Sequence, residues 1–425
     1  MRLLVCASGT IGDVHPLVGI AARMQERGHE VILLANPAYE SLAQEAGIEF
    51  EPVGTKEELD RIRQHPHAWS YAQGWKVWTL GAGAGPMRDL FAAIERRNDP
   101  GKTAIAASYL CFGARIARDQ LQIPTATMHL NVHTIRSVYG VYAYPPPGFL
   151  PDILPRSYLL PGWCPVWYRK FTLWWVEKVF IDPPMRKQIW KFQRELGQQK
   201  FAGSVRAWWT SPDAAIGLHP SWWAGEHPDW PPHVATTGFP FWDRSESATL
   251  SDELREFLDD PKPLIVFTPG ASASHTSEHF ASFERSCTAL GGKGIIITSQ
   301  ADGSNSSDIR YERYVPFGQL LPHVAAVVHH AGIGTSAHCL AAGIPQVVVP
   351  TLYNQPDTAI RLEKLGVARQ VSFRRFSQRR LTAALTAVLQ SAEIAARCNE
   401  YARLMAECDP MPDICARLEA LLSRT

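Results

Sequence analysis

The chain has 425 residues, a length typical of two or three folded domains. Of these residues 46% are hydrophobic and 20% are charged, a composition that excludes a disordered protein. The 42 basic and 41 acidic side chains leave a formal net charge of +1, which disfavours a general nucleic-acid-binding protein. No apolar run reaches the roughly 18 residues of a membrane span, and the first residues do not form a signal peptide. The eight cysteines include no C-x-x-C pair, so we expect reduced thiols in a cytoplasmic protein.

Short apolar strands alternate with helices along the first third of the chain. The predicted strands are 2–8, 30–35, 48–53, 103–107 and 124–129. Pro16 suits the first position of the helix after the first strand, where its missing N–H costs nothing, and Gly28 suits the left-handed residue that ends this helix. The alternation predicts an α/β domain with a doubly wound parallel sheet.

The middle of the chain departs from this pattern. All 14 tryptophans lie between Trp69 and Trp242, and segments 69–85 and 137–209 are predicted to be insertions that carry binding specificity. Segment 163–180 mixes tryptophans with basic residues, which is also typical of an amphipathic helix at a membrane interface. The alternative is that most of the tryptophans pack the domain core.

A second alternation follows a polar stretch, with strands predicted at 264–268, 294–299, 324–329 and 346–349 and helices over 377–423. We therefore predict two Rossmann-like domains that face a cleft. The first domain covers 1–240, the linker region 241–262 and the second domain 263–425.

The turn after the first strand, from Gly9 to Pro16, is one candidate site. The carboxyl end of a parallel strand is a favoured ligand position, but this turn lacks the G-x-G-x-x-G pattern of dinucleotide-binding domains. Asp13 could take a proton from an incoming nucleophile as a general base. It could equally cap the helix, and the sequence alone leaves both roles open.

A second candidate is the turn that follows the strand ending at His329. Its small and polar residues are His330, Gly332, Gly334 and Thr335. The N–H groups at the start of the next helix could bind a phosphate, and a tight capped turn is the alternative. Adjacent strand histidines point to opposite faces, and neither H-E-x-x-H nor D-x-D is present, so we expect no metal site.

A third candidate is the loop after the strand that ends at Pro350. It carries Asn354 and Gln355, whose amide groups both donate and accept hydrogen bonds and so suit a polyhydroxylated ligand. Plain turn chemistry is the alternative for both residues.

Together these segments resemble a known family. Residues 314–355, which contain YVPFGQLLPHVAAVVHHAGIGT and LAAGIPQVVVPTLYNQ, resemble the donor-binding signature of nucleotide-sugar glycosyltransferases of family 1, with the GT-B fold. The start, GTIGDVHPLVGIAARMQERGHEV, is similar to the amino terminus of bacterial natural-product and sterol glycosyltransferases. TGFPFWD and SDELREFLDDPKPLIVFTPG resemble the rhamnosyltransferase chain of rhamnolipid synthesis. The likeness covers both domains and is thin over 137–209.

The resemblance implies an inverting, metal-independent transfer of a glucose- or rhamnose-type hexose from a UDP- or dTDP-sugar, which is a co-substrate, with no cofactor. Asp13 matches the position of the base, and His15 is its rival. The residues that match the donor site are Ser272, Tyr314, Val315, His330, Gly332, Gly334, Thr335, Asn354 and Gln355. Asn354 replaces the usual Asp, and Phe317 and the region of His338 also depart from the family pattern, so the identities of sugar and nucleotide do not carry over.

The acceptor is expected in the first domain, beside Asp13, and the aromatic load there suggests a small hydrophobic alcohol, either a lipid or an aromatic natural product. The residues predicted to contact it are Trp75, His129, Asn131 and His133. A core role is the alternative for the two histidines. We expect no nucleic-acid partner, and the sequence leaves peripheral membrane contact and the oligomeric state open.

Three other functions were weighed against glycosyl transfer. A nucleotide-sugar epimerase of the same fold needs no hydrophobic acceptor pocket, so the tryptophan load disfavours it. An oxidoreductase would use the first glycine turn, whose pattern is imperfect. The presence of Asp13 and of the candidate phosphate-binding turn disfavours a non-catalytic subunit that binds nucleotide or lipid.

Overall fold

The computed structural model describes residues 1–70, 73–140, 164–242, 250–270, 277–298, 305–351 and 354–423. The chain forms two units. The first comprises Met1–Trp242 together with Asp409–Thr425, and the second is Asp243–Cys408. Each unit contains one sheet whose paired strands are all parallel, which confirms the predicted α/β class.

The sheet of the first unit has seven strands in the order β3-β2-β1-β4-β5-β6-β7. They are β1 (Arg2–Cys6), β2 (Glu30–Ala35), β3 (Glu49–Pro52), β4 (Thr103–Ser108), β5 (Thr125–His129), β6 (Ala214–Gly217) and β7 (Val234–Thr236). Leu4 on β1 lies opposite Ile32 on one side and Ile105 on the other, and all three side chains are buried. Strands buried on both faces have continuous apolar sequences, which explains why these were predictable.

The helices of the first unit also occupy the segments predicted as insertions. They are α1 (Ile11–Glu26), α2 (Glu40–Glu45), α3 (Lys56–Gln64), α4 (Gly74–Trp78), α5 (Met87–Arg97), α6 (Phe112–Leu121), α7 (Val166–Val176), α8 (Asp182–Glu195), α9 (Val205–Trp208) and α10 (Ser221–Ala224). A π-helical segment, Thr79–Ala84, follows α4, and a second, Glu177–Ile181, joins α7 to α8. Such segments are rare and often occur at functional sites.

Helix α1 begins five residues earlier than predicted, so Pro16 lies inside the helix and its placement at the first position was wrong. Thr10 is the N-cap residue, and Asp13 at the third helical position accepts its backbone N–H in a capping box. The cap fixes the start of the helix, and Pro16 then costs one helical hydrogen bond in the second turn. Gly28 has φ +87°, as the predicted stop requires.

The sheet of the second unit has six strands in the order β10-β9-β8-β11-β12-β13. They are β8 (Leu264–Thr268), β9 (Lys293–Ile297), β10 (Ile309–Glu312), β11 (Val324–His329), β12 (Gln346–Val348) and β13 (Ala368–Gln370). The helices are α11 (Asp252–Asp259), α12 (Ser277–Ala289), α13 (Phe317–Leu320), α14 (Ile333–Ala341), α15 (Gln355–Leu365), α16 (Gln378–Leu389) and α17 (Ala392–Ala406). No helix among the described residues combines the length and apolar composition needed to cross a bilayer.

Helix α11 lies within the predicted linker region but belongs to the second unit. Leu254 and Leu258 are buried in the same cluster as Leu264 of β8. The buried Lys293 donates from Nζ to the carbonyl oxygens of Phe257 and Asp260, so a buried cation holds the carboxyl end of α11.

The last helix, α18 (Met411–Leu422), packs in the first unit against α1, β4 and β5. Arg27 donates to both carboxylate oxygens of Glu419, at 2.7 and 2.8 Å. The predicted boundaries grouped residues 409–425 with the second domain, whereas the structure groups them with the first. An amphipathic pattern identifies a helix without saying which sheet it covers.

Candidate active site

Asp13 lies at the carboxyl end of β1, on the first turn of α1. Its Oδ2 accepts two hydrogen bonds from Thr10, from the backbone N–H at 2.8 Å and from the hydroxyl at 2.9 Å. No described residue donates to Oδ1. The capping role and the base role are therefore compatible, since one carboxylate oxygen serves the cap and the other retains its lone pairs.

The environment of Asp13 favours a proton-accepting group of raised basicity. Burial raises the pKa of this carboxyl above the ordinary 3.8, although the two Thr10 hydrogen bonds lower it. The negative charge of Asp13 in turn adds to the effect of burial in raising the pKa of Tyr109, which directly follows β4. Tyr109 was missed in the sequence, although a polar aromatic residue just after a buried strand is itself a signal.

His15, the rival base, lies two residues beyond Asp13 on α1, and residues at this spacing do not face each other on a helix. Its ring centroid is 4.8 Å from that of Trp242. Gly19, one turn further, allows this packing, because a Cβ there would lie 2.4 Å from the Cβ of Trp242. His15 therefore takes part in packing this side of α1.

A cavity of about 640 Å³ lies in the first unit, and its walls include Gly9 and Tyr39. The Tyr39 hydroxyl donates to the Gly9 carbonyl at 2.8 Å. Gly9 has φ +120°, and a Cβ there would lie 2.5 Å from Oδ2 of Asp13, so glycine is required where the cavity wall meets the carboxylate. The π-helical segment Thr79–Ala84 supplies a small-residue wall that includes Gly81 and Gly83.

The four predicted acceptor residues do not line this cavity. Trp75 packs against the hydrophobic core of the unit, while its neighbours Lys76 and Val77 line the cavity. The fully buried His129 contacts the hydroxyl of Thr134 at 2.8 Å through Nδ1. The other two, Asn131 and His133, belong to the short 3₁₀ turn that follows β5, Asn131 as its N-cap residue and His133 within it.

A buried polar cluster lies behind Tyr109. The rings of Tyr109 and His129 are stacked with centroids 6.4 Å apart. The side chain of Arg206, 3% exposed, donates to the carbonyl of His133, and burial followed by nearby charges lowers the pKa of His129 to about 3. His129 is therefore neutral at physiological pH. Arg206 was missed because a single arginine in a tryptophan-rich segment carries no positional signal.

The turn between β11 and α14 (residues 329–336, the phosphate turn) depends on His329. Nδ1 of His329 accepts the backbone N–H of Ala331 at 3.2 Å, so Nε2 carries the proton and donates to Oε1 of Gln346 at 2.9 Å. Ala331 has φ +64°, a left-handed conformation that costs an alanine about 1–2 kcal/mol. His329 is thus a structural residue that holds this conformation.

The adjacent His330 is enclosed by two glycines. A Cβ on Gly270 would lie 2.4 Å from its Cε1, and a Cβ on Gly332 would lie 2.4 Å from its Nε2. Burial lowers the pKa of His330 to about 4, so the ring is neutral at physiological pH and carries one N–H donor. A Cβ on Gly334 would meet no atom within 4 Å, which leaves space over the first turn of α14 beside Thr335.

Asn354 and Gln355 stand at the start of α15, where Asn354 is the N-cap residue. The Gln355 Oε1 accepts both the backbone N–H and the hydroxyl of Thr351, each at 2.8 Å. The side-chain oxygen of Gln355 is therefore engaged within its own turn.

The predicted base-binding residues precede α13. Tyr314 is 55% exposed, whereas the Val315 side chain is buried, so only the backbone of Val315 could contact a ligand. Phe317 and His338, which both mark departures from the family pattern, contact each other with ring centroids 5.4 Å apart. Ser272 lies outside the described residues.

Comparison with known proteins covers nearly the whole chain. Residues 3–140 match the glycosyltransferase family 28 N-terminal domain, and residues 293–421 match the erythromycin biosynthesis protein CIII-like C-terminal domain. The chain is 26% identical to O-mycaminosyltylonolide 6-deoxyallosyltransferase of Streptomyces fradiae, over 99% of this chain and 97% of that protein. It is also 26% identical to vancomycin aglycone glucosyltransferase of Amycolatopsis orientalis, over 86% of this chain and 85% of that protein.

Solved structures agree on the fold. The glycosyltransferase of kitacinnamycin matches with a TM-score of 0.75 at 16% identity over 99% of both chains. The glycosyltransferase VinC, solved in complex with dTDP, matches with a TM-score of 0.71 at 17% identity over the whole of both chains. The expected GT-B fold is confirmed.

Proposed function

We propose that this chain, which belongs to the family 1 nucleotide-sugar glycosyltransferases of GT-B fold, moves a glucose- or rhamnose-type hexose from a UDP- or dTDP-sugar to a hydroxyl of a small hydrophobic acceptor. The observation that carries the proposal is the carboxylate of Asp13, which caps α1 through one oxygen and keeps the other free of described donors. A general base needs this combination of fixed position and available lone pair.

The acceptor is assigned to the cavity beside Gly9. Its walls are largely aliphatic and glycine-rich, which suits a hydrophobic natural product or lipid. The relatives named for a tylonolide derivative and for the vancomycin aglycone support a natural-product acceptor. The predicted contacts from Trp75, His129, Asn131 and His133 remain predictions, and none of the four residues lines this cavity.

In the proposed inverting step the acceptor oxygen attacks the anomeric carbon while its proton passes to Asp13. The bond from the anomeric carbon to the diphosphate oxygen breaks on the opposite side, and the nucleoside diphosphate leaves with the bonding electrons. The first N–H groups of α14, with Thr335, would stabilise the charge that develops on the diphosphate. The single N–H of neutral His330 is directed at the backbone carbonyl of Thr268, so His330 would shape the turn that binds the diphosphate.

Gln355 and Asn354, at the start of α15, would hold the sugar hydroxyls, and the exposed ring of Tyr314 would stack on the base. These donors supply the stabilisation that a metal ion gives in other transferases, so metal- and cofactor-independence is part of the proposal. The cytoplasmic location remains a prediction from the sequence.

Thermal unfolding with UDP, dTDP, GDP, NAD and NADP tests the donor site. A ligand at about 100 times its Kd stabilises the folded state by roughly 2.7 kcal/mol, and we expect this for UDP or dTDP alone. A shift with only the nicotinamide nucleotides would contradict the proposal.

Transfer is then measured with the matching nucleotide-sugar and a panel of hydrophobic alcohols, with product stereochemistry followed by NMR. Inversion at the anomeric carbon is expected. Conversion of the donor sugar without any acceptor would indicate an epimerase instead, and nucleotide binding without turnover across the panel would indicate a non-catalytic subunit.

A further inference from the structure

Helix α7 and the π-helical segment after it expose an unusual number of apolar side chains. Of the eleven large hydrophobic side chains that are exposed in the described part of the chain, seven lie between 166 and 179. Trp167 is 69% exposed, and Phe171 and Trp174 are 53% exposed each. The seven residues, called the aromatic face below, are Val166, Trp167, Tyr168, Phe171, Trp174, Trp175 and Val179.

The aromatic face is continuous and is not needed to hold the helix in place. Trp167, Phe171 and Trp174 recur at helical spacings of four and three, and the rings of Phe171 and Trp174 lie 6.1 Å apart. Other side chains provide the anchor, namely the buried Leu173 and Glu177. Contiguous apolar patches of this kind mark interaction sites on folded proteins.

The exposed charges on the stretch from 166 to 194, which carries the aromatic face, all have one sign. Only two acidic residues occur between 166 and 194, and both Glu177 and Asp182 are 2% exposed. Both oxygens of Glu177 accept from Arg136 at 3.0 Å, and Asp182 pairs with Arg186 at 3.0 Å. No exposed acid therefore lies on this stretch to balance its lysines.

Two exposed lysines complete the surface. Lys170 and Lys178 lie about one turn before and one turn after Trp174. Lysine is depleted from the cores of protein–protein interfaces. In a symmetric dimer both copies would bring the same lysines to the contact with no acidic partner on that face. Aromatic side chains flanked by lysines match a bilayer surface, where the rings lie at headgroup depth and the ammonium groups meet lipid phosphates.

We infer that the aromatic face docks the protein peripherally on an anionic phospholipid bilayer. This inference stands apart from the proposed glycosyl transfer, since it uses no residue assigned to the donor or acceptor. Each lysine near an anionic surface raises the membrane partition constant about fivefold. The aromatic side chains contribute binding free energy that does not depend on the charge of the lipid.

Vesicle flotation of the full chain tests the inference. Vesicles of equal parts phosphatidylglycerol and phosphatidylcholine are compared with pure phosphatidylcholine, and the wild-type protein is expected to float with the anionic vesicles. Trp167→Ala, Phe171→Ala and Trp174→Ala together are expected to lower the partition constant at least about tenfold. Lys170→Glu with Lys178→Glu is expected to remove the preference for anionic vesicles.

The control is Lys56→Glu with Lys102→Glu, which makes the same charge change at exposed positions elsewhere in the first unit and should bind as wild type does. Circular dichroism and thermal unfolding check that every variant remains folded. Absence of flotation by the wild type, or undiminished binding by the triple alanine variant, would overturn the inference. A wild-type dimer that the triple variant converts to monomer, without vesicle binding, would show that the face joins two copies instead.

Discussion

Replacement of Asp13 by asparagine should separate the two roles of this carboxylate. Asparagine keeps an oxygen that can accept the N–H and hydroxyl of Thr10, now 2.8 and 2.9 Å from Oδ2, so the start of α1 should persist. It cannot accept a proton from the acceptor, so turnover should fall by about 10²–10⁴, equivalent to roughly 2.7–5.4 kcal/mol of activation free energy.

The same substitution should not lower stability at neutral pH. Because burial raises the pKa of Asp13 above 3.8, the folded state binds this proton more tightly than the unfolded state does. The stabilisation that comes from protonating Asp13 is therefore fully present below about pH 4. It is lost as the pH rises through the pKa that Asp13 has in the folded state. The asparagine side chain is neutral at every pH, so the Asp13→Asn variant should be at least as stable as wild type at pH 7, and the difference should close towards pH 4.

Turnover is measured as the initial rate at saturating donor and acceptor. Stability is measured by urea unfolding at pH 7 and at about pH 4. Asp13→Ala is the matched control, because it removes the base and the capping-box acceptor together and should therefore be less stable than Asp13→Asn. Wild-type turnover in the asparagine variant would refute the base role. Loss of stability in Asp13→Asn as large as in Asp13→Ala would refute the assignment of separate roles to the two oxygens.

Five further substitutions test the phosphate turn, the packing of α1 and the Arg27–Glu419 pair. Gly334→Ala adds a methyl group that meets no protein atom within 4 Å, so the melting temperature without nucleotide should stay the same, whereas its increase on addition of UDP or dTDP should be lost. In Gly332→Ala the new Cβ would lie 2.4 Å from Nε2 of His330, so this variant should be less stable even without nucleotide. Gly19→Ala should lower the unfolding free energy by about 1–3 kcal/mol through its clash with Trp242, whereas Gly12→Ala, with its nearest contact at 3.7 Å, should not. Glu419→Gln should lower the unfolding free energy by about 0.3–1 kcal/mol at pH 7, because the Arg27 hydrogen bonds lower the pKa of Glu419 to about 2 in the folded state. In urea unfolding, the difference between variant and wild type should persist above about pH 4.5 and narrow as the pH falls towards 2.

The strands were predictable because burial on both faces leaves a continuous apolar signature. Segments 30–35 and 324–329 were predicted with the bounds that β2 and β11 have in the structure. The π-helical segment Thr79–Ala84 was not, because TLGAGA has no amphipathic period and its small residues serve the close packing of Ile62 and Phe112. The start of α1 was misplaced because Pro16 suits a first helical position, whereas the helix begins directly after the Thr10 cap.

The candidate site, like the fold, could be predicted from the sequence only in part. Residue type and chain position were enough to single out Asp13 and the phosphate turn as candidate sites. They could not show that Asp13 divides its two oxygens, that His329 supports the left-handed Ala331, or that Arg206 contacts His133. Those facts depend on contacts and backbone geometry that a single sequence does not encode in a local pattern.

Because α18 packs in the first unit, the second unit is an insertion within the first rather than a domain appended to it. A chimera that exchanges sugar-donor preference between relatives should therefore replace 243–408 and keep the recipient's own 409–425. A design that joins two proteins at one junction near 242 would place a foreign helix against α1, and it would lose the Arg27–Glu419 pair wherever the second protein lacks that glutamate. Two splice points, rather than one, define the exchangeable module.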